Sequence, residues 1–105
     1  MTEKDQKILD LIRTTIREQE PTAEIILYGS RARGDARKDS DWDVVTIFER
    51  PWRTPSERGD IGYDLWFKGM EQGEEINMFE YSRQQWDSLP PSLFKYNVLN
   101  EGIKL

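Results

Sequence analysis

Two short runs rich in β-branched and aromatic residues, Glu24 to Tyr28 (EIILY) and Asp41 to Phe48 (DWDVVTIF), restrict this chain more than any other feature. Runs of this length and make-up read as strands. Ile25, Ile26 and Leu27 are consecutive, so the first strand is expected to be buried over most of its length. The stretch between them, GSRARGDARKDS from Gly29 to Ser40, reads as a polar loop or a short helical turn.

The flanking segments carry clear punctuation. Thr2 and Asp5 can cap a first helix whose Ile8, Leu11, Ile12 and Ile16 recur at helical spacing, and Pro21 stops it. Arg50 to Arg53 forms a turn around Pro51. Thr54-Pro55-Ser56-Glu57 has the form of a capping box with proline at the first helical position, which starts a second helix. Ile61, Leu65 and Lys68 with Gly69 share one stripe of that helix, and Gly73 is its expected C-cap. Glu75 to Tyr81 (EINMFEY) reads as a third strand. Ser82 with Gln85 is another capping box, opening a short turn through Trp86. Pro90 and Pro91 then break the chain, and Leu93 to Leu99 forms a last helix ended by Gly102. The order α-β-loop-β-α-β-α predicts a single α+β domain over 1–105, with a small mixed β-sheet and helices packed on one face.

Composition narrows the chemistry. The 105 residues include no Cys and no His, which excludes disulfides, a Cys nucleophile and a His relay, and leaves zinc or haem almost without ligands. Hydrophobic residues make up 36%, enough for a small core, and the net charge of −5 argues against a broad nucleic-acid surface. Apolar runs are too short for a membrane span or a signal peptide, so the expectation is a cytoplasmic protein with no membrane partner.

Two clues carry chemistry. Gly29-Ser30 follows a strand directly, where glycine permits a sharp bend and a close approach to a ligand. If Ser30 opens a helical turn, its N–H groups and hydroxyl form an anion site. The second clue is Asp41-Trp42-Asp43 at the head of the next strand. Residues two apart on a strand point the same way, about 7 Å apart at the backbone. Two carboxylates so placed can converge on a metal pair about 3.5–4 Å apart, the clamp of in-line phosphoryl transfer. Trp42 then faces the opposite side with Val44, Thr46 and Phe48. Each clue has a plainer meaning: Gly-Ser is a common turn, the loop's Arg31, Arg33, Arg37 and Lys38 suit a solvated face, and strand-end acids deter aggregation. Calcium fails on geometry. An EF-hand counted from Asp39 would need Gly where Val44 stands and Glu where Arg50 stands.

Gly29-Ser30, ten residues, then Asp41-x-Asp43 heading a strand resembles the nucleotidyltransferase superfamily that includes DNA polymerase beta. More narrowly, GSRARGDARKDSDWDV is similar to the minimal nucleotidyltransferases (MNT type), often paired with a helical HEPN partner. The resemblance implies a polymerase-beta palm-like fold. It implies that Gly29 and Ser30 hold the triphosphate of an NTP, that Asp41 and Asp43 hold two Mg²⁺ ions and are catalytic, and that Arg33 and Arg37 are candidates to neutralise triphosphate charge. The family's third carboxylate on a later strand falls at Asn77, which cannot take a proton from a hydroxyl near neutral pH. Glu75 shares its face and is the candidate substitute, whereas Glu80 falls on the other face and Asp64 on a helix. The expected activity is Mg-dependent transfer of a nucleoside monophosphate from an NTP, ATP by preference, to a hydroxyl on a partner protein. The alternative is a non-catalytic, antitoxin-like module that binds nucleotide or silences a HEPN-type partner; a weaker option is a domain whose motif has lost its ligand. A homo-oligomer is a further candidate partner. Val45, Ile47, Phe79 and Tyr81 are expected on the face of the acids, as a contact surface or as core under the second helix.

Overall fold

The structure, a computed structural model, describes residues 1–50 and 59–105. The turn around Pro51 and the capping box Thr54 to Glu57 lie outside the described residues. Helix α1 (Glu3–Gln19) opens with a reciprocal capping box. Thr2 Oγ1 accepts from the Asp5 N–H at 3.1 Å, and the Asp5 carboxylate accepts from the Thr2 N–H at 3.0 Å. Ile8, Leu9, Ile12, Thr15 and Ile16 form its buried face. Leu11, expected on that stripe, is only half-buried. Strand β1 (Glu24–Tyr28), the single turn α2 (Ser30–Arg33) and strand β2 (Trp42–Phe48) follow. Next come helix α3 (Asp60–Glu71), strand β3 (Ile76–Ser82), helices α4 (Arg83–Ser88) and α5 (Leu93–Glu101), and strand β4 (Ile103–Lys104). Gly73, at φ 76°, closes α3 as expected. The Glu74 N–H reaches the Gly69 carbonyl at 2.9 Å and the Gly73 N–H reaches Met70 at 3.0 Å, which satisfies the helix's last carbonyls.

The four strands form one mixed sheet in the order β3-β2-β1-β4. β1 runs antiparallel to β2 and to β4, while β2 and β3 are parallel and joined through α3. Alternation along β2 divides the core between two faces. Trp42, Val44 and Phe48 pack with Ile25, Leu27 and Ile76 beneath Ile8, Ile12 and Ile16 of α1 and Ile61 and Leu65 of α3. Ile26, Val45 and Ile47 lie on the reverse and pack against Trp86 of α4 and Phe94 and Val98 of α5. The α+β class and mixed sheet agree with the sequence; the placement of all helices on one face does not. α1 and α3 share one face, and α4 and α5 cover the other. Val45 and Ile47 are fully buried, as core, but beneath α4 and α5 rather than beneath α3. The physical reason is that β2 carries apolar side chains on both parities, Val44 and Phe48 on one face and Val45 and Ile47 on the other, and so needs cover on both sides.

Strand β4 was not expected. It is held at the β1 edge, where the Leu105 N–H donates to the Ile25 carbonyl at 2.9 Å and Arg17 Nη2 donates to the Leu105 carbonyl at 3.1 Å. Gly102 makes this docking sterically feasible. A β-carbon there would lie 2.3 Å from the Val98 carbonyl oxygen and 2.4 Å from Ile26 Cγ2. Gly102→Ala is therefore expected to push α5 or β4 off the sheet and to cost about 1–3 kcal/mol, measured by urea denaturation. A change below about 0.5 kcal/mol would contradict the tight packing described.

Candidate active site

Burial of β2 gives out at its first rungs. Asp43 is half-buried and Asp41, just before the strand, is exposed; strand alternation puts both on the face of α4 and α5. In the register of the sheet, Asp43 lies between Tyr28 of β1 and Asn77 of β3. Gly29 follows Tyr28 at φ 75°, and a β-carbon on it would stand 2.9 Å from Asp43 Oδ2. Glycine is thus required twice, by a left-handed backbone and by the approach of the carboxylate. Ser30 begins α2 immediately afterwards. The bend that carries Gly29 and Ser30 therefore abuts the acid pair at one end of the sheet.

Asn77 stands between the two acids. Its Nδ2 lies 3.4 Å from Asp41 Oδ2, at the long end of hydrogen-bond range. A hydrogen bond from the same amide lowers the Asp43 pKa, but burial and the negative charge of Asp41 outweigh it and hold the Asp43 carboxyl above its ordinary value. Glu75 lies one strand repeat further on. The Trp42 N–H donates to the Glu75 carbonyl at 2.8 Å, so Glu75 runs alongside Asp41 as Asn77 runs alongside Asp43. The charge of Asp41, and a hydrogen bond shared with its carboxyl, push the Glu75 pKa up, while a hydrogen bond from the Trp66 indole opposes the shift. Asp41 therefore has two neighbours from β3 and the residue that leads into it, the Asn77 amide and the Glu75 carboxyl.

The donor set suits a hard divalent cation. It offers carboxylate oxygens whose mutual repulsion a cation would relieve. Among the described residues, no cluster of three or more Asp, Glu, His or Cys side chains forms a ready-made metal cage. Glu75 meets Asp41 without completing a closed triad with Asp43. This matches the habit of Mg²⁺, which takes one or two protein carboxylates and leaves its other positions to phosphate and water.

The basic residues of the loop have other neighbours. Arg33 lies 3.2 Å from Glu101 of α5 and 3.2 Å from Asp35. Arg37 is exposed and lines a surface cleft with Thr2, Asp5 and Glu74, beside the start of α1. Arg31 is turned under the loop, against Trp42 and Glu74. Glu80 accepts from the Gly59 N–H at 2.8 Å, and Asp64 pairs with Lys68 at 3.2 Å. Two site neighbours had no sequence signal. Trp66 reaches Glu75 only because α3 docks beside β3, and Tyr28 borders Asp43 only through the sheet register. Burial, with the charges of Asp43 and Tyr81, pushes the Tyr28 hydroxyl up to about 12.

The profile of the nucleotidyltransferase domain family matches residues 9–101. Among solved structures, a toxin-antitoxin with AMP-PNP superposes with a TM-score of 0.61 at 17% identity, covering 98% of this chain and 72% of that one. A Sulfolobus solfataricus protein assigned as a nucleotidyltransferase gives 0.60 at 17% identity, covering 97% and 82%. No curated protein matches. At such identities the superpositions speak for the fold.

Asp43 generates a pH prediction. Its folded-state pKa is raised, so between the ordinary value of 3.8 and the folded value the native state holds a proton that the unfolded chain has lost. Stability must fall as pH rises through that window, and the penalty is complete at neutral pH. Asp43→Asn is expected to raise the melting temperature of the metal-free protein by a few degrees at pH 7, with the gain gone at about pH 3. Calorimetry at both pH values checks this; an equal effect at each would refute it.

Proposed function

The chain belongs to the nucleotidyltransferase domain family, and from that premise we propose that it transfers a nucleoside monophosphate from an NTP to a hydroxyl on a partner protein. The observation that carries this reading is the contact of Gly29 with Asp43, which sets a sharp bend and its serine beside a carboxylate pair. Gly29 and Ser30 hold the β- and γ-phosphates, and Asp41 and Asp43 hold Mg²⁺. Bound there, Mg²⁺ would neutralise charge on the polyphosphate and orient it. The acceptor oxygen bonds to the α-phosphorus, the bond from that phosphorus to the bridging oxygen breaks, and pyrophosphate leaves with the electron pair. Glu75 takes the acceptor's proton, because Asn77 has no basic oxygen to offer. Most of the acceleration in such a step comes from positioning and charge neutralisation. Arg33, freed from Glu101, is the nearer of the two loop arginines in sequence to the triphosphate; Arg37 serves only if its part of the loop turns.

Several observations support a protein partner. α3 buries Ile61, Leu65 and Gly69 yet leaves Tyr63, Trp66, Phe67 and Met70 substantially exposed. That is a second apolar stripe on one helix, suited to a helical partner of HEPN type or to another copy of the chain. No helix among the described residues is long and apolar enough to cross a membrane. The proposal places the protein in the cytoplasm, where Mg-ATP is the ready donor. Asn77 favours a second reading: an antitoxin-like module that binds Mg-nucleotide and a partner without turnover. An amide at that rung quiets the repulsion between Asp41 and Asp43 but adds no base.

Incubation with labelled ATP, Mg²⁺ and the neighbouring-gene product separates the two. Transfer of label is expected, reduced at least about 100-fold by Asp43→Ala, since even groups one shell outside a metal cost 10–100-fold. Glu75→Gln is expected to lower kcat with KM little changed. A stable complex that takes up no label, and that survives Asp43→Ala, would establish the binding module instead.

A further inference from the structure

Arg31 follows Ser30 directly, yet its side chain is only 10% exposed and lies under the loop. Its Nε and Nη2 donate to the Ser40 carbonyl at 3.2 and 2.9 Å, and Nη2 also reaches the Lys38 carbonyl at 3.3 Å. The guanidinium carbon stands 4.5 Å from the centre of the Trp42 ring. Glu74 and Asp5 compensate its charge at 3.5 and 3.7 Å. Glu74 is itself buried and accepts from the Trp42 indole N–H at 3.2 Å. One planar cation therefore grips the residue before Asp41 by its carbonyl and the residue after it by its ring. The loop's own turn, closed by the Ser40 N–H on the Arg37 carbonyl at 3.0 Å and by the Arg37 N–H on Ser40 Oγ at 2.8 Å, is local and does not reach back to α2. The span from Ser30 to Asp41 is bridged by Arg31.

We propose that Arg31 is a positioning residue that sets the separation between the Gly29-Ser30 bend and the Asp41-Asp43 pair, acting through the Ser40 carbonyl and the Trp42 ring without touching nucleotide. The proposal rests on the nucleotidyltransferase reading. It requires arginine specifically. A lysine would keep the positive charge beside Glu74 and Asp5, but its ammonium cannot fork to two carbonyls while stacked flat on an indole. Arg31→Lys thus separates the charge that stabilises the fold from the geometry that aligns the site.

The test measures Mn²⁺-ATP binding to the full chain by electron paramagnetic resonance of Mn²⁺, with amide hydrogen exchange at residues 38–43 and a melting curve in parallel. Arg31→Lys is expected to weaken Mn²⁺-ATP at least about tenfold, the usual cost of a lost support behind metal ligands. Exchange at 38–43 should quicken by a similar factor, with protection in β1 and β3 retained. If Arg31→Lys fails to fold, the same measurements on Arg31→Lys in a Glu74→Gln background remove the buried carboxylate, which a displaced lysine would leave with Lys4 as its remaining cation. Binding by either folded variant at the wild-type level overturns the proposal, as does loss of binding that only tracks a global fall in protection. Should the unaltered protein bind no Mn²⁺-ATP, the nucleotidyltransferase reading itself falls and the proposal with it.

Discussion

β2 is the strand on which the rest of the molecule is hung, because it must be buried on both faces along most of its length and yet present charge at its first rungs. Val44 to Phe48 are covered by α1 and α3 on one side and by α4 and α5 on the other. Neither β1 nor β3 could hold that position alone: β1 supplies an antiparallel partner, and β3 a parallel one reached only through α3. The same pairing brings Gly29, Asp43 and Asn77 into neighbouring positions. Core and site are consequences of one register. A one-residue slip in β2 would turn Asp41 and Asp43 towards the face of α1 and α3 and carry Val45 and Ile47 away from Trp86 and Val98.

The site is assembled against its own electrostatics. Asp41 and Asp43 share a face, Glu75 runs beside Asp41, and the carboxyls of Asp43 and Glu75 are both held above their ordinary values. Asn77 offsets part of this by donating amide hydrogens where a fourth carboxylate would add repulsion. The repulsion among carboxylates gathered in this way is what a bound cation would relieve. Trp66 adds a donor to Glu75 from a helix whose outer face is itself apolar.

Much of this was legible in the residues. The capping boxes at Thr2 and Ser82, the αL glycine after α3, and the two strands flanking GSRARGDARKDS follow from local hydrogen bonding and local strain. That Asp41 and Asp43 share a face follows from strand alternation, and their pairing with Gly29-Ser30 is what the family resemblance implies. The apolar residues on both parities of β2, Val44 and Phe48 against Val45 and Ile47, did carry the information that both faces are covered, although the order of elements pointed to helices on one side. β4 was invisible because two exposed residues have no periodicity to read. Arg31 looked like one more solvated cation in a basic loop, since nothing within a few residues announces that Trp42 and Glu74 will enclose it.

The amino-acid order by itself therefore determined the α+β class, most of the helices and strands, and which bend and which acids belong together. The elements depend on groups within one turn or one strand repeat of each other, where covalent spacing leaves few arrangements; the bend and the acids, eleven or more residues apart, are joined by their resemblance to a family pattern. Only the tertiary structure decided that Asn77 reaches across to Asp41, that Arg31 rather than Arg33 or Arg37 is locked in place, and that α4 and α5 close the second face. Those outcomes rest on contacts such as Asn77 with Asp41 and Glu74 with Arg31, between residues far apart in the chain. Which partners meet at that range is settled by how helices and sheet fit to exclude water, and no short pattern encodes it.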